Sequence, residues 1–569
     1  MLYSHNNKTC TRARARARMG FQRLRCWVLL QSVMTQWGES VPFTVEVVPQ
    51  IAPSSPRVYD VDSQYNGSVA DALTAVAKAN LPGAAVVLGA KQYAVTEHLL
   101  VPPGTSIRGA GAAATTITFT LAPPRRGEPA AAFEMSSNTS LRDFGVVISP
   151  ATTHNELVVV DFSGKIGLVA QRLSIVMAQK NVGMAFQLQA TGFEVLDNNI
   201  TQAGACGRSS ARSIFLHQAQ HGRVAGNVVR WNCNAFASDI SDNVVLEDND
   251  FTCIATGAIN SGTYISTYDL YRHPSSKWWA VSRNNFSRPL NSSADSWQFH
   301  ETLTTDAPHS YNMGFVEEII DVNGTAAVVL GSRMVPPAGA TLVALGGSGA
   351  GQFRLVTGKL PAPYVNTYTI KSPFDGWLLP QKTMVAALPT AAQKLIVGNS
   401  FTGTSVVQWF GDTILGVHAD NTFKSCNARS GIGGLETGGA LQVGALCYKG
   451  APGQVFFTEY LGNTMVDSDG MVLTDNFDND QMNDCGSRGW FPGPWIQWAT
   501  SRRNSFSGVS ELARYDANKT TPRCGAFILR AMKGYNSTDV IAEDTSFDCP
   551  AGMLPGGYDV VGCSHCTIR

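Results

Sequence analysis

The sequence predicts an all-β solenoid of parallel strands, and three observations predict it. The phrase Asn, any residue, large apolar residue returns as Asn198-Asn199-Ile200, Asn227-Val228-Val229, Asn249-Asp250-Phe251, Asn284-Asn285-Phe286, Asn399-Ser400-Phe401, Asn421-Thr422-Phe423, Asn463-Thr464-Met465 and Asn504-Ser505-Phe506. The steps between these asparagines are 29, 22, 35, 115, 22, 42, 41 and 41 residues when the degenerate copy Thr545-Ser546-Phe547 is included. A recurrence of about 20 to 50 residues is the mark of stacked repeats. The third observation is context: Val195-Leu196-Asp197, Val245-Leu246-Glu247-Asp248 and Gly416-Val417-His418-Ala419 each set a short apolar strand just before the phrase. Chance recurrence in an Asn-rich chain is the alternative, and the repeated context speaks against it.

In a solenoid one rung cannot bury its apolar face alone, so equivalent positions of successive rungs stack. Asparagine suits the turn ahead of the buried residue, because it tolerates left-handed backbone and its amide can bond up and down a stack. Rungs longer than 22 residues carry their surplus in turns, as repeat insertions do.

The N-terminal side reads as follows. Residues 1–40 form a presequence: the first 38 carry no Asp or Glu, Arg and Ala alternate from Arg12 to Arg18, and an apolar stretch runs from Cys26 to Met34. That pattern is a secretory signal if translation starts at Met19, with an organelle transit peptide as the rival. A helix is expected over Ser68 to Ala79, capped by Ser68 and burying Val69, Leu73 and Val76, where it would cover the open end of the solenoid. After it come Val86-Val87-Leu88-Gly89, Tyr93-Ala94-Val95, Leu99-Leu100-Val101-Pro102-Pro103-Gly104 and Ile107-Arg108-Gly109-Ala110-Gly111.

This series is similar to the N-terminal opening of the pectate-lyase-like, right-handed parallel β-helix superfamily, in the version shared by polygalacturonase-related hydrolases, glucanases and some phage tailspikes. The likeness covers residues 58 to 120, and the Asn rungs extend it. It implies a right-handed parallel β-helix and a carbohydrate-active protein, without fixing which activity. The polygalacturonase-type hydrolases would add Asp-Asp and Gly-His-Gly on successive rungs. This sequence has neither.

Four segments follow: the presequence 1–40, the N-terminal part of the β-helix 41–300, an inserted small β-domain 301–390 and the C-terminal part with its cap 391–569. The 115-residue step marks the insertion, whose strand-like runs between Pro and Gly turns read as a small barrel or sandwich. Gly347-Ser348-Gly349-Ala350-Gly351-Gln352 imitates a nucleotide loop. It has no following helix and reads as a turn.

Composition narrows the function. Forty-three basic residues balance 43 acidic ones at 15% charge, which excludes a broad basic face for nucleic acid. No apolar run is long enough for a membrane span. Ten cysteines follow the presequence, an even number that favours disulfides, and Cys563-Ser564-His565-Cys566 is better read as a disulfide than as a zinc knuckle. Nine Asn-x-Ser/Thr sequons agree with a secreted or cell-wall glycoprotein.

Site residues come from the 22-residue register. His217 lies ten before Asn227 and Asp239 ten before Asn249, so they should be neighbours on adjacent rungs. Asp242 follows in the same turn, Asp412 lies nine before Asn421, and Tyr264, Tyr268 and Asp269 belong to the rung between. A glycoside hydrolase needs two carboxyls about 5 to 9 Å apart, which adjacent or next-but-one rungs supply. Trp409, Trp297, Trp278 and Trp279 are the rings that would stack on sugars. The candidates are therefore Asp239, Asp242, Asp412 and His217 for catalysis, and Tyr264, Tyr268, Asp269, Trp409 and Trp297 for substrate, with a polysaccharide as partner. The alternatives are a lyase or epimerase on uronic-acid polymers and a non-catalytic glycan-binding or structural protein. No cofactor is required. Calcium is the one ion that the acidic loop Asp467, Asp469, Asp475, Asp478, Asp480 and Asp484 would take, although a solvated turn explains it as well. Nothing in the sequence speaks to oligomeric state.

Overall fold

A computed structural model of the chain describes residues 57–80, 83–123, 131–153, 157–177, 182–202, 212–231, 234–239, 241–253, 265–268, 279–287, 303–306, 313–331, 336, 338–344, 352–374, 384–388, 391–392, 394–403, 407–410, 413–426, 441–444, 447–448, 451–452, 455–468, 470–474, 496–508, 523–524, 527–530, 537–538, 540–548, 551, 554–555, 558–561, 563–564 and 566–568. All lie in the compact unit Val47–Arg569. The presequence and the Gly347–Gly351 turn lie outside the described residues.

The architecture is all-β, a right-handed parallel β-helix. One 13-stranded parallel sheet includes the eight short strands that the asparagines introduce. Its central positions pair in unbroken register from Tyr93 through Ile117, Val146, Ile175, Ile200, Val229, Phe251, Phe286, Phe401, Phe423, Met465 and Phe506 to Phe547. Within this column Phe251, Phe286, Phe401 and Phe423 stack nearly parallel, with centroids 5.3, 4.9 and 4.9 Å apart. The rung spacing of roughly 4.8 Å sets that distance, and offset stacking of aromatic rings makes it favourable.

The other faces belong to one 30-stranded hydrogen-bonded set. Two long strands, Leu157–Gln171 and Val182–Leu196, run round the corner between its two arms. Strand Leu157–Gln171 pairs with Ala131–Met135 at its start and with Thr139–Arg142 at its end, and its pairing with Val182–Leu196 shifts register at Ser163/Lys165.

The Asn ladder joins the faces. The side-chain amide of each of Asn198, Asn227, Asn249, Asn284, Asn399, Asn421 and Asn463 donates to Oδ1 of the next asparagine at 2.8–3.0 Å. The same oxygen also accepts the backbone N–H of the previous asparagine, and the second amide hydrogen goes to a backbone carbonyl such as Val195 or Leu246. Every donor and acceptor of these buried amides is thus used, which burial requires. The expectation that the asparagine itself turns left-handed is corrected. The left-handed residue is the one before it: Asp197, Gly226, Asp248, Arg283, Gly398, Asp420, Gly462 and Arg503 have φ between 53 and 67°. The turn is made one residue early because the asparagine side chain must point into the stack.

At the N-terminal side a helix over Val69–Ala79 is capped by Ser68, whose hydroxyl accepts the Asp71 N–H at 3.1 Å. It buries Val69, Ala72, Leu73 and Val76 in the same cluster as the first rungs. Between Met313 and Leu388 six strands form a closed antiparallel barrel with its own core around Val316, Val328, Leu342, Val356 and Tyr368. Strand Leu303–Asp306 is part of the solenoid, pairing with Ile265–Tyr268 and Val407–Phe410, so the barrel begins later than residue 301.

Two further sequence readings change. Trp279 is core: it is buried, meets Phe236 edge-on at 6.1 Å, and its indole N–H donates to the Ser241 carbonyl at 2.7 Å. Cys426 is a buried thiol that donates to the Phe401 carbonyl at 3.4 Å, so an even cysteine count does not put all ten in disulfides. A cysteine this deep acts as a small apolar filler.

Candidate functional site

The strip begins with strand alternation. In Arg212–His217, Ile214 and Leu216 are buried while Phe215 and His217 are partly exposed. His217 pairs with Asp239, Asp239 with Tyr268, Tyr268 with Asp306 and Asp306 with Phe410. Five successive rungs therefore bring His, Asp, Tyr, Asp and Phe to one register position. Neighbouring backbones stand about 4.8 Å apart, so Asp239 and Asp306 are separated by roughly 10 Å along the axis, with Tyr268 between them.

Upstream, the same position belongs to Gln189 and Ser163, since Leu188 pairs with Leu216 and Ser163 with Gln189. A second column, two residues earlier on each strand, runs Glu134, Asp161, Gln187 and Phe215. The Ser163 hydroxyl donates to Asp161 at 2.5 Å, and the Gln187 amide reaches Ser163 at 3.4 Å. Burial raises the pKa of Asp161 above the usual carboxylate value, and the Ser163 hydrogen bond opposes the shift. Phe215 lies nearly parallel to the His217 ring at 6.0 Å, with the Arg212 guanidinium 4.4 Å from its centroid. The track thus offers donors, acceptors and one aromatic face in line with the His–Asp–Tyr–Asp column.

The sequence-derived candidates divide. His217, Asp239 and Tyr268 are brought together. Asp242 is not in the column: it opens strand Asp242–Glu247 on the other arm, opposite Gln220, with Ser241 at the corner between it and Asp239. Ser241 fixes that corner by accepting the Ala219 N–H at 3.1 Å. Trp409 falls one position off, in register with Thr305 and, through Thr267, with the buried Ser238 and Leu216. Its neighbour Phe410 holds the column position. Asp412, Tyr264, Asp269 and Trp297 lie outside the described residues.

Asp306 is the residue that sequence reasoning missed. The sequence places its strand in the insertion, and pairing with Ile265–Tyr268 on one side and Val407–Phe410 on the other returns it to the solenoid. Of the acidic loop, Asp467 is described: it is an exposed, left-handed corner residue (φ 47°) whose N–H donates to the Ser507 carbonyl at 2.9 Å. Among the described residues no three metal-ligating side chains converge, and no helix is long and apolar enough to cross a membrane.

No known family profile matches the chain, and no curated protein matches its sequence. Solved structures do. The A-module of the mannuronan C-5 epimerase AlgE6 of Azotobacter vinelandii is 11% identical with a TM-score of 0.37, over 87% of this chain and 97% of that one. The catalytic domain of Agl-KA is 10% identical with a TM-score of 0.43, over 91% and 69%. The Streptococcus pneumoniae surface protein and adhesin PfbA is 9% identical with a TM-score of 0.37, over 88% and 95%. These neighbours are an epimerase module, a catalytic domain and a surface adhesin, and at such identities they carry no argument about which reaction, if any, this chain performs.

Proposed function

We propose that this protein is a secreted glycoside hydrolase acting on a polysaccharide, with Asp239 and Asp306 as its carboxyl pair. The observation that supports the reading is the register His217–Asp239–Tyr268–Asp306 on four successive rungs. Two rungs, roughly 10 Å between backbones, is a spacing at which a pair of carboxyl groups can leave room for a water between them. That is the inverting arrangement, in which one carboxyl protonates the leaving oxygen and the other activates water, and the groups stand about 6.5 to 9.5 Å apart. His217, one rung from Asp239, is suited to orient or discharge that carboxylate, and Phe215 and Gln187 to receive sugar residues running along the axis. Acidic and amide groups dominate the track, which suits an uncharged glycan.

The test is reducing-sugar release from neutral and uronic-acid polysaccharides by wild type, Asp239→Asn and Asp306→Asn, with absorbance near 235 nm followed for unsaturated products. Release lost in both variants, without that absorbance, supports the hydrolase. Unsaturated products would instead make it a lyase, and binding without turnover a glycan-binding protein.

A further inference from the structure

A different face of the solenoid carries an arrangement that the proposed hydrolase does not use. Arg108 and Arg142 end the strands Ser106–Arg108 and Thr139–Arg142, and they are direct register partners on neighbouring rungs. Like charges so placed repel. Two positions earlier on the same strands Ser106 and Ser140 are also partners, and the Ser140 hydroxyl donates to Ser106 at 2.8 Å.

Of the nearby carboxylates, Asp143 is already engaged. Asp143 is held by Arg172 in a two-pronged pair at 2.5 and 2.9 Å, and Arg108 stands 3.5 Å from its second oxygen. Glu194 is two rungs away from Ser140, across Val169. Among the described residues, the Nε of Arg142 is buried without a hydrogen-bond partner. Burial and then the charges of Arg172 and Arg108 push the Arg142 pKa below its ordinary value, against the opposing pull of Glu194 and Asp143. A half-buried guanidinium with an idle Nε, in register with a second, largely exposed guanidinium and with paired hydroxyls two residues earlier, is a donor set with capacity for a further acceptor. Arginine forks match the planar oxygens of carboxylate and the tetrahedral oxygens of sulfate.

We propose that Arg108 and Arg142, with Ser106 and Ser140, bind one oxyanion group, a carboxylate or a sulfate, at a site separate from the Asp239–Asp306 column. A bound anion relieves the Arg108–Arg142 repulsion and supplies an acceptor for the Arg142 Nε. The site stands on its own residues and does not depend on the protein being a hydrolase.

Isothermal titration of the full chain with inorganic sulfate, glucuronate and glucose, at constant ionic strength in chloride, tests it. Saturable binding of sulfate or glucuronate, but not of glucose, is expected, and which of the two binds tighter names the group. Arg108→Gln, at an exposed position that folding does not need, and Arg142→Gln should each weaken it at least tenfold, while Asp239→Asn leaves it unchanged. Sulfate should also raise the melting temperature of wild type more than that of Arg142→Gln, since its general salting effect is common to both. Absence of saturable binding of either anion to wild type, or equal affinity in Arg108→Gln, overturns the proposal.

Discussion

Asn284 and Asn399, 115 residues apart in the chain, are hydrogen-bonded neighbours: the Asn284 amide donates to Oδ1 of Asn399 at 3.0 Å, and its backbone N–H donates to the same oxygen at 2.9 Å. The whole inserted barrel leaves and rejoins the solenoid without opening this bond. Asn399→Ala leaves both donors of Asn284 buried without an acceptor. At roughly 1 to 3 kcal/mol for each orphaned group, a loss of about 2 to 6 kcal/mol is expected in denaturant unfolding. A loss below about 0.5 kcal/mol would show that water replaces the amide there.

Because the ladder bridges the insertion and the barrel has its own core, excising residues 313–388 behind a short Gly/Ser linker should leave the solenoid folded. Circular dichroism of the shortened protein should keep its β signature and a cooperative melt. An aggregated or unfolded product would mean that the barrel supplies stability to the rungs.

Gly222 lies beneath Phe193. A Cβ at position 222 would come within 1.8 Å of the Phe193 ring. Gly222→Ala must displace that buried ring, and overpacking of this kind costs about 1 to 3 kcal/mol. Equilibrium unfolding should show the loss, and the double change Gly222→Ala with Phe193→Leu should recover part of it.

His418 is fully buried against Tyr460, ring centroids 5.4 Å apart, and burial pushes its pKa down to about 3. Since the folded pKa lies below the unfolded value near 6.5, both states are neutral above that pH and the stability is fully present. As pH falls from about 6.5 toward 3 the unfolded chain takes up a proton that the fold refuses, so stability drops by as much as about 1.4 kcal/mol per pH unit from this group. His418→Leu should flatten the melting temperature between pH 4 and 6 relative to wild type; parallel curves would remove His418 as the cause.

If Asp239 and Asp306 are the carboxyl pair, each Asn substitution should lower kcat by a factor of about 100 to 10,000, the usual worth of a general acid or base. Asp242→Asn, on the other arm, should change it less than threefold. Proton NMR of the first-formed product should show inversion at the anomeric carbon, and retention would exclude the two-rung pair.

What was legible in the sequence follows from where rungs are regular. His217 and Asp239 are 22 residues apart, as are Asn227 and Asn249, so counting back from the asparagine finds their pairing. Counting fails at Asp306, because the barrel lies between it and Asn399, and Trp409, a candidate for its ring and not for its register, falls one position off the column. The asparagine stack was legible because a buried amide that recurs needs a recurring partner. The left-handed turn was misplaced onto it, since propensity alone does not say which of two adjacent residues turns and which points inward. Cys426 and Trp279 went astray for a related reason: burial depends on the rung, which composition does not report.

The asparagine ladder also has a direction. From Asn198 to Asn463 one side-chain N–H of each amide points to the following rung, while Asn504 gives that hydrogen to the Ser501 hydroxyl at 2.8 Å and keeps the usual backbone bond, to the Tyr460 carbonyl at 3.0 Å. The aligned amides polarise one another as any chain of hydrogen bonds does. The solenoid thus carries an axial electric dipole built from side chains, and a duplicated rung can be spliced into its interior only with an asparagine that keeps the same orientation.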